Sequence, residues 1–263
     1  MKQFTPLLIN FFRVFCASML VLSCAGSDQD IPGEKRLLLE KVFMDDALYL
    51  EIFYDEQYSI RRIDSYLDGM KKSQREIALD AKGRVKSVVM DFGHYTATRT
   101  LTYDGEKKVS DVTLYEFADG TPSRSIRREW RYPKEHVIED LLYSDSHPDI
   151  VSYLHRHTFS ETGKLLKVER RVIGRPVQDS YTTYQHDQGI SYEYMIERNI
   201  PGYAEMPVSG NQPVSAKRYK PSGELISESI YHNRYNSEGY LESYRVETGS
   251  TSQSFRLQYV KAE

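Results

Sequence analysis

The sequence predicts an all-β protein, a long antiparallel meander of repeated hairpins with about 16 strands. The first observation is a period-2 alternation from about residue 36 onward. Phe255, Leu257 and Tyr259, for example, fall on one face of a strand, and the polar residues between them fall on the other. The second is composition: the chain has 21 Tyr and 10 Phe but one Trp, and aromatic residues favour strands. The third is a recurring turn unit.

The turn unit is clearest at residues 235–241. Tyr235 ends one strand, Asn236 opens a polar turn, Gly239 follows, and Leu241 begins the next strand. Asn hydrogen-bonds its own turn backbone, and glycine takes a positive φ without a steric penalty. The unit recurs at residues 159–165 and 219–225, and more loosely at 79–85 and 103–105. Successive tips from Tyr54 to Tyr184 lie about 24 to 29 residues apart, the length of two strands with their turns.

Residues 1–23 have the features of a secretory signal. Lys2 and Arg13 supply positive charge, and residues 14–22 form a short apolar core. The segment runs into Leu-Val-Leu-Ser-Cys, ending at Cys24, which resembles the lipobox of bacterial lipoproteins. That resemblance implies cleavage before Cys24 and acylation (palmitate or a similar chain) of its sulfur and amine, and several acyl chains anchor a protein stably. A plain signal peptide or an anchor helix is the alternative interpretation.

Residues 24–35 are small, acidic and interrupted by Pro32 and Gly33, which predicts a flexible tether. Asp28 and Asp30 resemble the acidic signals that send some lipoproteins to the cell surface, and a solvated linker is the alternative. The remaining residues, 36–263, are then a single repeat-built β domain.

The regular rhythm of the β domain breaks once, at residues 199–213. Three prolines and two glycines in this stretch argue against a central strand, and loops of such length are often functional or disordered. After it, residues 219–235 contain either one long strand or an irregular hairpin. The sequence alone does not choose between them.

The aromatic-Asp/Asn-x-x-Gly-x-Leu/Val unit resembles the YD repeats of Rhs-type proteins. The chain as a whole more closely resembles uncharacterised bacterial lipoproteins that are built from degenerate copies of that repeat. Some of these lipoproteins are described as porin-like in fold. This chain departs from the strict repeat where Pro133 follows Tyr132 and where Leu79 replaces the aromatic. The resemblance implies the strand pattern. Because the chain is short for a closed shell, we expect a rolled sheet or a flattened open barrel.

The distribution of charge argues against a transmembrane barrel. Arg127, Glu129 and Arg131 fall on one face of a strand, while Arg128 lies beside Trp130 on the other. An Arg or Lys facing lipid at the bilayer midplane costs about 2–4 kcal/mol. We therefore expect a soluble sheet, with only the lipid of the anchor in the membrane.

Few residues suggest chemistry. The two cysteines, Cys16 and Cys24, both precede the β domain, so we expect no disulfide, catalytic thiol or Cys-based zinc site in it. His155 and His157 share a strand face, but no motif supplies a third ligand, so exposed strand histidines are favoured and no metal or other cofactor is expected. The net charge of -3 gives no footprint for nucleic acid. No catalytic motif is recognised.

Aromatic side chains supply the one candidate ligand surface: Trp130, Tyr132, Tyr192 and Tyr194. Aromatic faces stack on sugar rings or bind peptides, although strands also use tyrosines as cross-strand pairs that fix register. The leading hypothesis is a non-enzymatic envelope lipoprotein that binds an envelope glycan or protein or acts as a scaffold. It would be anchored at the outer membrane, on the periplasmic face or the cell surface.

The rival hypothesis is a hydrolase of envelope or host polymer with its site near residues 199–213. A deep pocket there with two facing carboxylates would favour the hydrolase, because such pairs perform acid and base catalysis on glycosidic bonds.

Overall fold

The computed structural model describes residues 37–143 and 149–262, so the predicted signal, the tether and Cys24 lie outside the described residues. Sixteen antiparallel strands follow one another, and each pairs with its neighbours in sequence. The predicted meander and its strand number are confirmed. The strands are β1 (Leu37–Met44), β2 (Ala47–Tyr54), β3 (Ile60–Leu67), β4 (Met70–Leu79), β5 (Val85–Asp91), β6 (Tyr95–Asp104), β7 (Lys107–Phe117), β8 (Arg124–Lys134), β9 (Val137–Tyr143), β10 (Val151–Phe159), β11 (Leu165–Val172), β12 (Ser180–Ile190), β13 (Asn211–Tyr219), β14 (Leu225–Tyr235), β15 (Leu241–Thr248) and β16 (Thr251–Lys261). The described chain also contains one helix, α1 (Tyr192–Asn199), and a 3-10 turn (Pro176–Gln178).

The first and last strands close the sheet into a barrel. β1 pairs antiparallel with β16, from Leu37 opposite Lys261 to Met44 opposite Phe255. The expectation of a rolled sheet or a flattened open barrel is therefore wrong. An open sheet leaves a row of unpaired N–H and C=O groups along each edge strand, and the pairing of β1 with β16 gives both rows partners.

The predicted turn units at residues 79–85, 159–165, 219–225 and 235–241 are hairpin tips of one geometry, whereas the looser unit at 103–105 runs into a two-residue turn at 105–106. Between β14 and β15, Gly239 N donates to Asn236 O (3.1 Å) and Asn236 N donates to Tyr240 O (2.9 Å). The Asn236 side-chain oxygen accepts from the backbone N of Glu238 and Tyr240. Gly239 has a φ of 83°. The equivalent glycines have φ values of 78° (Gly83), 77° (Gly163) and 89° (Gly223), which confirms the predicted left-handed position.

Successive turns alternate between the two ends of the barrel. The near end carries, among others, the turns at 55–59, 80–84, 160–164 and 236–240, and the far end carries those at 45–46, 92–94, 118–123, 173–179 and 220–224. Residues 219–235 contain one strand, β14, so the similar tips at 220–224 and 236–240 lie at opposite ends. Tyr184, expected near a turn, lies within β12.

One half of the barrel interior is a hydrophobic core. Its buried side chains come from β1 to β6, β15 and β16, and Ile196 of α1 and Ile200, which follows the helix, add to it from inside. Burying each large aliphatic side chain contributes about 1.5–3 kcal/mol. The inward faces of β7 to β10 instead carry buried polar side chains, namely Asp111, Asp140 and His157. The interior is therefore apolar on one side and charged on the other.

Charged side chains lie on both faces of β8. Trp130 is buried in the interior, and Arg128, on the same face, contacts Glu205 there. Arg127, Glu129 and Arg131 alternate with them on the outer face. None of the helices in the described part of the chain is long and apolar enough to cross a membrane.

Candidate functional site

Residues 191–210, here called the plug, connect β12 to β13 at the near end and fold into the barrel. The plug begins with α1, whose N-terminus is capped by the Ser191 side chain. Asn199, the last residue of the helix, is fixed to the turn between β2 and β3 and to the start of β3: its Oδ1 accepts from Ile60 N (2.9 Å) and its Nδ2 donates to Tyr58 O (3.0 Å). The segment expected to be an irregular loop is thus anchored to the barrel wall.

Glu197 forms a turn within the plug. Its carboxylate accepts from Gly202 N (2.6 Å) and from Ala204 N (2.7 Å). Burial raises the pKa of Glu197, and these two hydrogen bonds, with the positive charges of Lys108 and Arg99, offset part of the rise. The turn directs the backbone of residues 203–205 toward β6, β7 and β8.

Three cations of the barrel wall, here called the cationic row, bind the carbonyl oxygens of three consecutive plug residues. The contacts are Arg99 Nη1 to Tyr203 O (2.7 Å), Lys108 Nζ to Ala204 O (2.7 Å) and Arg128 Nη1 to Glu205 O. Hydrogen bonds from charged donors contribute about 1.5–3 kcal/mol each. The row therefore fixes the path of the plug across the charged half of the interior.

The two arginines of the cationic row also pair with carboxylates. Arg99 Nη2 donates to Asp111 Oδ2 (3.0 Å). Arg128 Nε lies 3.7 Å from Asp140 Oδ1, and its Nη2 lies 3.8 Å from Glu205 Oε2. Asp111 and Asp140 are 5% and 0% exposed. Buried charges persist in proteins when they are paired and hydrogen-bonded, and this arrangement meets both conditions.

Asp140 also contacts the two histidines singled out in the sequence. His155 Nδ1 lies 3.1 Å from Asp140 Oδ1, and His157 Nε2 lies 2.8 Å from Asp140 Oδ2. Burial alone would raise the pKa of Asp140, but these hydrogen bonds outweigh burial and place the pKa well below its usual range. His157 is 1% exposed, so the expectation of exposed histidines is wrong. Within residues 37–143 and 149–262, no cluster of His, Cys, Asp and Glu is arranged to bind a metal ion.

A cavity of about 270 Å³ lies beside the cationic row. Arg99, Arg128, Asp111 and the plug residue Glu205 line it in the middle of the barrel. Toward the far end its wall is aromatic, formed by Phe92, Tyr95 and Tyr115, with the Phe92 and Tyr95 rings stacked at a centroid distance of 4.5 Å. A concave site with apolar walls and a few polar groups is the usual form of a small-molecule site.

Arg75, on β4, lines the same cavity but differs from the other two arginines. Its Nη1 donates to Tyr203 Oη (3.2 Å). No carboxylate of the described chain lies within ion-pair distance of its guanidinium, whereas Arg99 and Arg128 each have carboxylate partners. Arg75 is thus a half-buried cation whose counter-charge is not supplied by the described residues.

The four aromatic residues proposed from sequence lie on two elements. Trp130 is buried on β8, where Lys108 Nζ lies 3.8 Å from its ring centroid, and the Tyr132 hydroxyl donates to Lys108 O (2.9 Å). Tyr192 and Tyr194 lie on α1. Their binding role stays a prediction. In the structure Trp130 and Tyr132 support Lys108 of the cationic row.

Sequence reasoning did not single out Arg75, Arg99 or Lys108. The available signal was the alternation itself, since Arg99 shares a strand face with Ala97 and Leu101, which are buried. An arginine at an inward position of a strand indicates a charge inside the protein. Its partners, however, are on other strands and on the plug.

No family model and no curated protein matches the chain. Solved structures do match. A porin-like protein from Bacteroides uniformis aligns with a TM-score of 0.52 and 8% identity over 84% of this chain and 98% of that one. A porin-like protein from Bacteroides vulgatus aligns with a TM-score of 0.54 and 12% identity over the same shares of the two chains. At such identities the comparison shows the fold alone. The chain is similar in fold to porin-like proteins of Bacteroides, as the resemblance implied.

Proposed function

We propose that the protein is a non-enzymatic binding protein whose barrel cavity takes a small anionic ligand. The observation that carries this proposal is Arg75, a cation in the cavity wall with no carboxylate partner among the described residues. A charge removed from water without a counter-ion costs free energy, and a bound anion would supply that counter-ion. Guanidinium groups match carboxylates and phosphates with paired hydrogen bonds.

The rest of the cavity supports an anion that carries a ring or an apolar part. Three arginines line the cavity; Arg99 and Arg128 are paired with Asp111, Glu205 and Asp140, so Arg75 is the cavity arginine that has no carboxylate partner in the described chain. The rings of Phe92, Tyr95 and Tyr115 offer faces on which a sugar or another ring packs. A carboxylated or phosphorylated sugar has both features, and an acidic envelope glycan would present such a group.

The hydrolase hypothesis is less well supported by the same cavity. Asp111 and Glu205 are the carboxylates that line it, and each lies in an ion pair, Asp111 with Arg99 and Glu205 with Arg128. Glycoside hydrolysis needs one carboxyl group as acid and another as base or nucleophile, both facing the bond that breaks. Arginine partners compete with a substrate for these oxygens, so we favour binding over hydrolysis.

Titration calorimetry with glucuronate, glucose 6-phosphate and inorganic phosphate tests the proposal. We expect saturable binding of at least one anion. Arg75→Gln should weaken it about tenfold or more, because a hydrogen bond to a charged group contributes about 1.5–3 kcal/mol. Arg131→Gln, on the exposed outer face of β8, is the matched control and should bind as the unaltered protein does. If no anion bound, or if Arg75→Gln bound it equally well, the proposal would be wrong.

We also infer that the barrel is attached to the bacterial envelope by lipid on Cys24. The signal-like residues 1–23 and the lipobox-like sequence before Cys24 support this location, as does the likeness in fold to porin-like proteins of Bacteroides. Cys24→Ala should abolish labelling with a fatty-acid analogue and move the protein into the soluble fraction. Unchanged membrane partition of this variant would contradict lipid anchoring.

A further inference from the structure

We propose that Glu205 of the plug competes with the anionic ligand inside the cavity: its carboxylate stays beside Arg128 until a bound anion displaces it. This inference rests on the proposed function, because it concerns the same cavity and the same class of ligand. It goes further by assigning to one residue of the plug the control of how tightly that ligand binds.

The backbone of Glu205 is fixed, whereas its side chain is held loosely. Arg128 Nη1 donates to the Glu205 carbonyl oxygen. The Glu205 carboxylate lies 3.8 Å from Arg128 Nη2 and its side chain is 65% exposed, and it accepts no hydrogen bond from the described residues. Ion pairs of exposed carboxylates contribute little to stability. The carboxylate can therefore leave Arg128 while the path of the plug stays unchanged.

The other carboxylates around the plug are held more firmly. Asp111 accepts from Arg99 Nη2 at 3.0 Å, and Asp140 contacts two histidine nitrogens at 2.8 and 3.1 Å. Glu197 accepts from two backbone N–H groups. Of the two carboxylates in the described chain that line the cavity, Asp111 is thus a fixed part of the wall and Glu205 is the one that is free to move.

Arg128 has hydrogen-bonding capacity that the described residues leave unused. Its Nε is buried without a hydrogen-bond partner and lies 3.7 Å from Asp140 Oδ1. Its Nη2 lies 3.8 Å from the Glu205 carboxylate, which is beyond normal hydrogen-bond length. Guanidinium groups bind carboxylates and phosphates through short, charge-assisted hydrogen bonds. A ligand anion that reached Nη2 at such a length would therefore replace a weaker contact with a stronger one.

The cavity brings the ligand and the Glu205 carboxylate together. Arg75, Arg128 and Glu205 line the same space of about 270 Å³, so an anion held at Arg75 lies in one small cavity with a second negative charge. Like charges in one site repel each other. Withdrawal of the carboxylate would remove this repulsion and leave both arginines to the ligand. If the withdrawn form is a minority, the apparent affinity falls in proportion to its population.

Titration calorimetry with glucuronate and with inorganic phosphate tests the competition. Glu205→Gln keeps the size of the side chain and removes its charge, so it should bind the anion about fivefold more tightly. Glu205→Asp keeps the charge but shortens the side chain by one methylene, which moves the carboxylate away from Arg128. It should bind at least about twofold more tightly.

Glu116→Gln is the matched control. Glu116 is exposed on β7 next to Tyr115, and because Tyr115 lines the cavity, its neighbour in the strand faces outward. The substitution removes the same charge without touching Arg128, so binding should equal that of the unaltered protein. Unchanged affinity in Glu205→Gln would overturn the proposal, as would an equal gain in Glu116→Gln. A gain in Glu205→Gln without one in Glu205→Asp would also overturn it, because charge alone would then explain the effect.

The outcomes separate this proposal from the proposed function. If the unaltered protein binds an anion through Arg75 and Glu205→Gln binds it no more tightly, the competition is wrong and the binding site stands. If an anion binds only to Glu205→Gln, and Arg75→Gln in that background abolishes binding, the competition stands and the unaltered protein is not an anion-binding protein. If no anion binds to either protein, both proposals are wrong.

Discussion

Lys108 combines a buried position with contacts to both the plug and the wall. Its Nζ donates to Ala204 O and lies over the Trp130 ring. Burial, and then the positive charge of Arg99, lowers its pKa from 10.5 to about 7. A lysine with such a pKa loses its charge near neutral pH once the protein is folded. The titration of Lys108 should therefore make the stability of the barrel depend on pH above neutral.

We predict that Lys108→Met flattens the rise of stability above neutral pH. Between about pH 7 and the ordinary lysine pKa, the unfolded chain carries a proton that folded Lys108 has lost, so the free energy of unfolding increases with pH. The slope approaches about 1.4 kcal/mol per pH unit. Urea titrations from about pH 6 to pH 9 measure it, with Lys86→Met, exposed on β5, as control. Parallel curves for Lys108→Met and the unaltered protein would contradict the low pKa.

We predict that Gly239→Val destabilises the protein by about 1–2 kcal/mol, the cost of left-handed backbone for a residue with a Cβ. No atom lies within 4 Å of the added Cβ, so the cost is conformational and not steric. Gly210→Val is the matched control, because Gly210 also has open space around its Cβ but lacks a positive φ. It should change the free energy of unfolding by less than about 0.5 kcal/mol. Equal urea midpoints for the two variants would show that the tip does not require glycine.

Among the elements, the plug packs tightly against the wall at Gly202. This residue has a φ of 94°, and a Cβ there would overlap the hydroxyl of Tyr103 on β6. That hydroxyl donates to Val85 O (2.9 Å) and lies 3.3 Å from Pro201 O. The plug and β6 are therefore packed against each other without room for a methyl group.

We predict that Gly202→Ala costs about 1–3 kcal/mol, and that the cost depends on Tyr103. Tyr103→Phe removes the overlapping hydroxyl, so Gly202→Ala should cost less in that background. A double-mutant cycle in urea measures the difference, which for contacting residues is about 0.5–3 kcal/mol. Additive effects of the two substitutions would show that the plug does not contact β6 at this point.

An element of the barrel was predictable from sequence when the residues that determine it lie next to one another in the chain. The tip at residues 235–241 was predictable because Asn236 and Gly239 form the turn by themselves. Helix α1 was missed because tyrosines at residues 192 and 194 also suit a strand. Its signals were Ser191 as the N-cap, Glu193 in the first turn and a basic residue in the last turn. These capping signals cover only a few residues, and the tyrosines, which favour strands, outweighed them in the prediction.

For the whole molecule, closure of the barrel is the feature that sequence reasoning got wrong. Closure depends on whether β1 meets β16, which are separated by almost the whole described chain, and no local pattern reports on that pairing. The same limit applies to the candidate site. Arg75, Arg99 and Arg128 lie on β4, β6 and β8, and only the register of the intervening strands brings them to one cavity.

We predict that the amides of β1 and β16 exchange with solvent as slowly as those of β6 and β7. Both strands have partners on both sides, whereas an open sheet would leave each with an unpaired edge that exchanges quickly. Hydrogen–deuterium exchange followed by mass spectrometry resolves the four strands. Rapid exchange confined to β1 and β16 would show that the seam is open in solution.

The pairing of Leu37 with Lys261 makes the order of strands a closed cycle. The natural termini therefore interrupt this cycle at one of sixteen strand pairs, and another interruption would leave the same pairs. A circular permutant that joined these two residues through a short linker and began within the far-end turn at 118–123 would retain every strand pair. Permuted chains of this kind tolerate new termini at exposed turns. The strand pairing of the barrel should therefore not depend on where the chain begins, provided that the plug still connects β12 to β13.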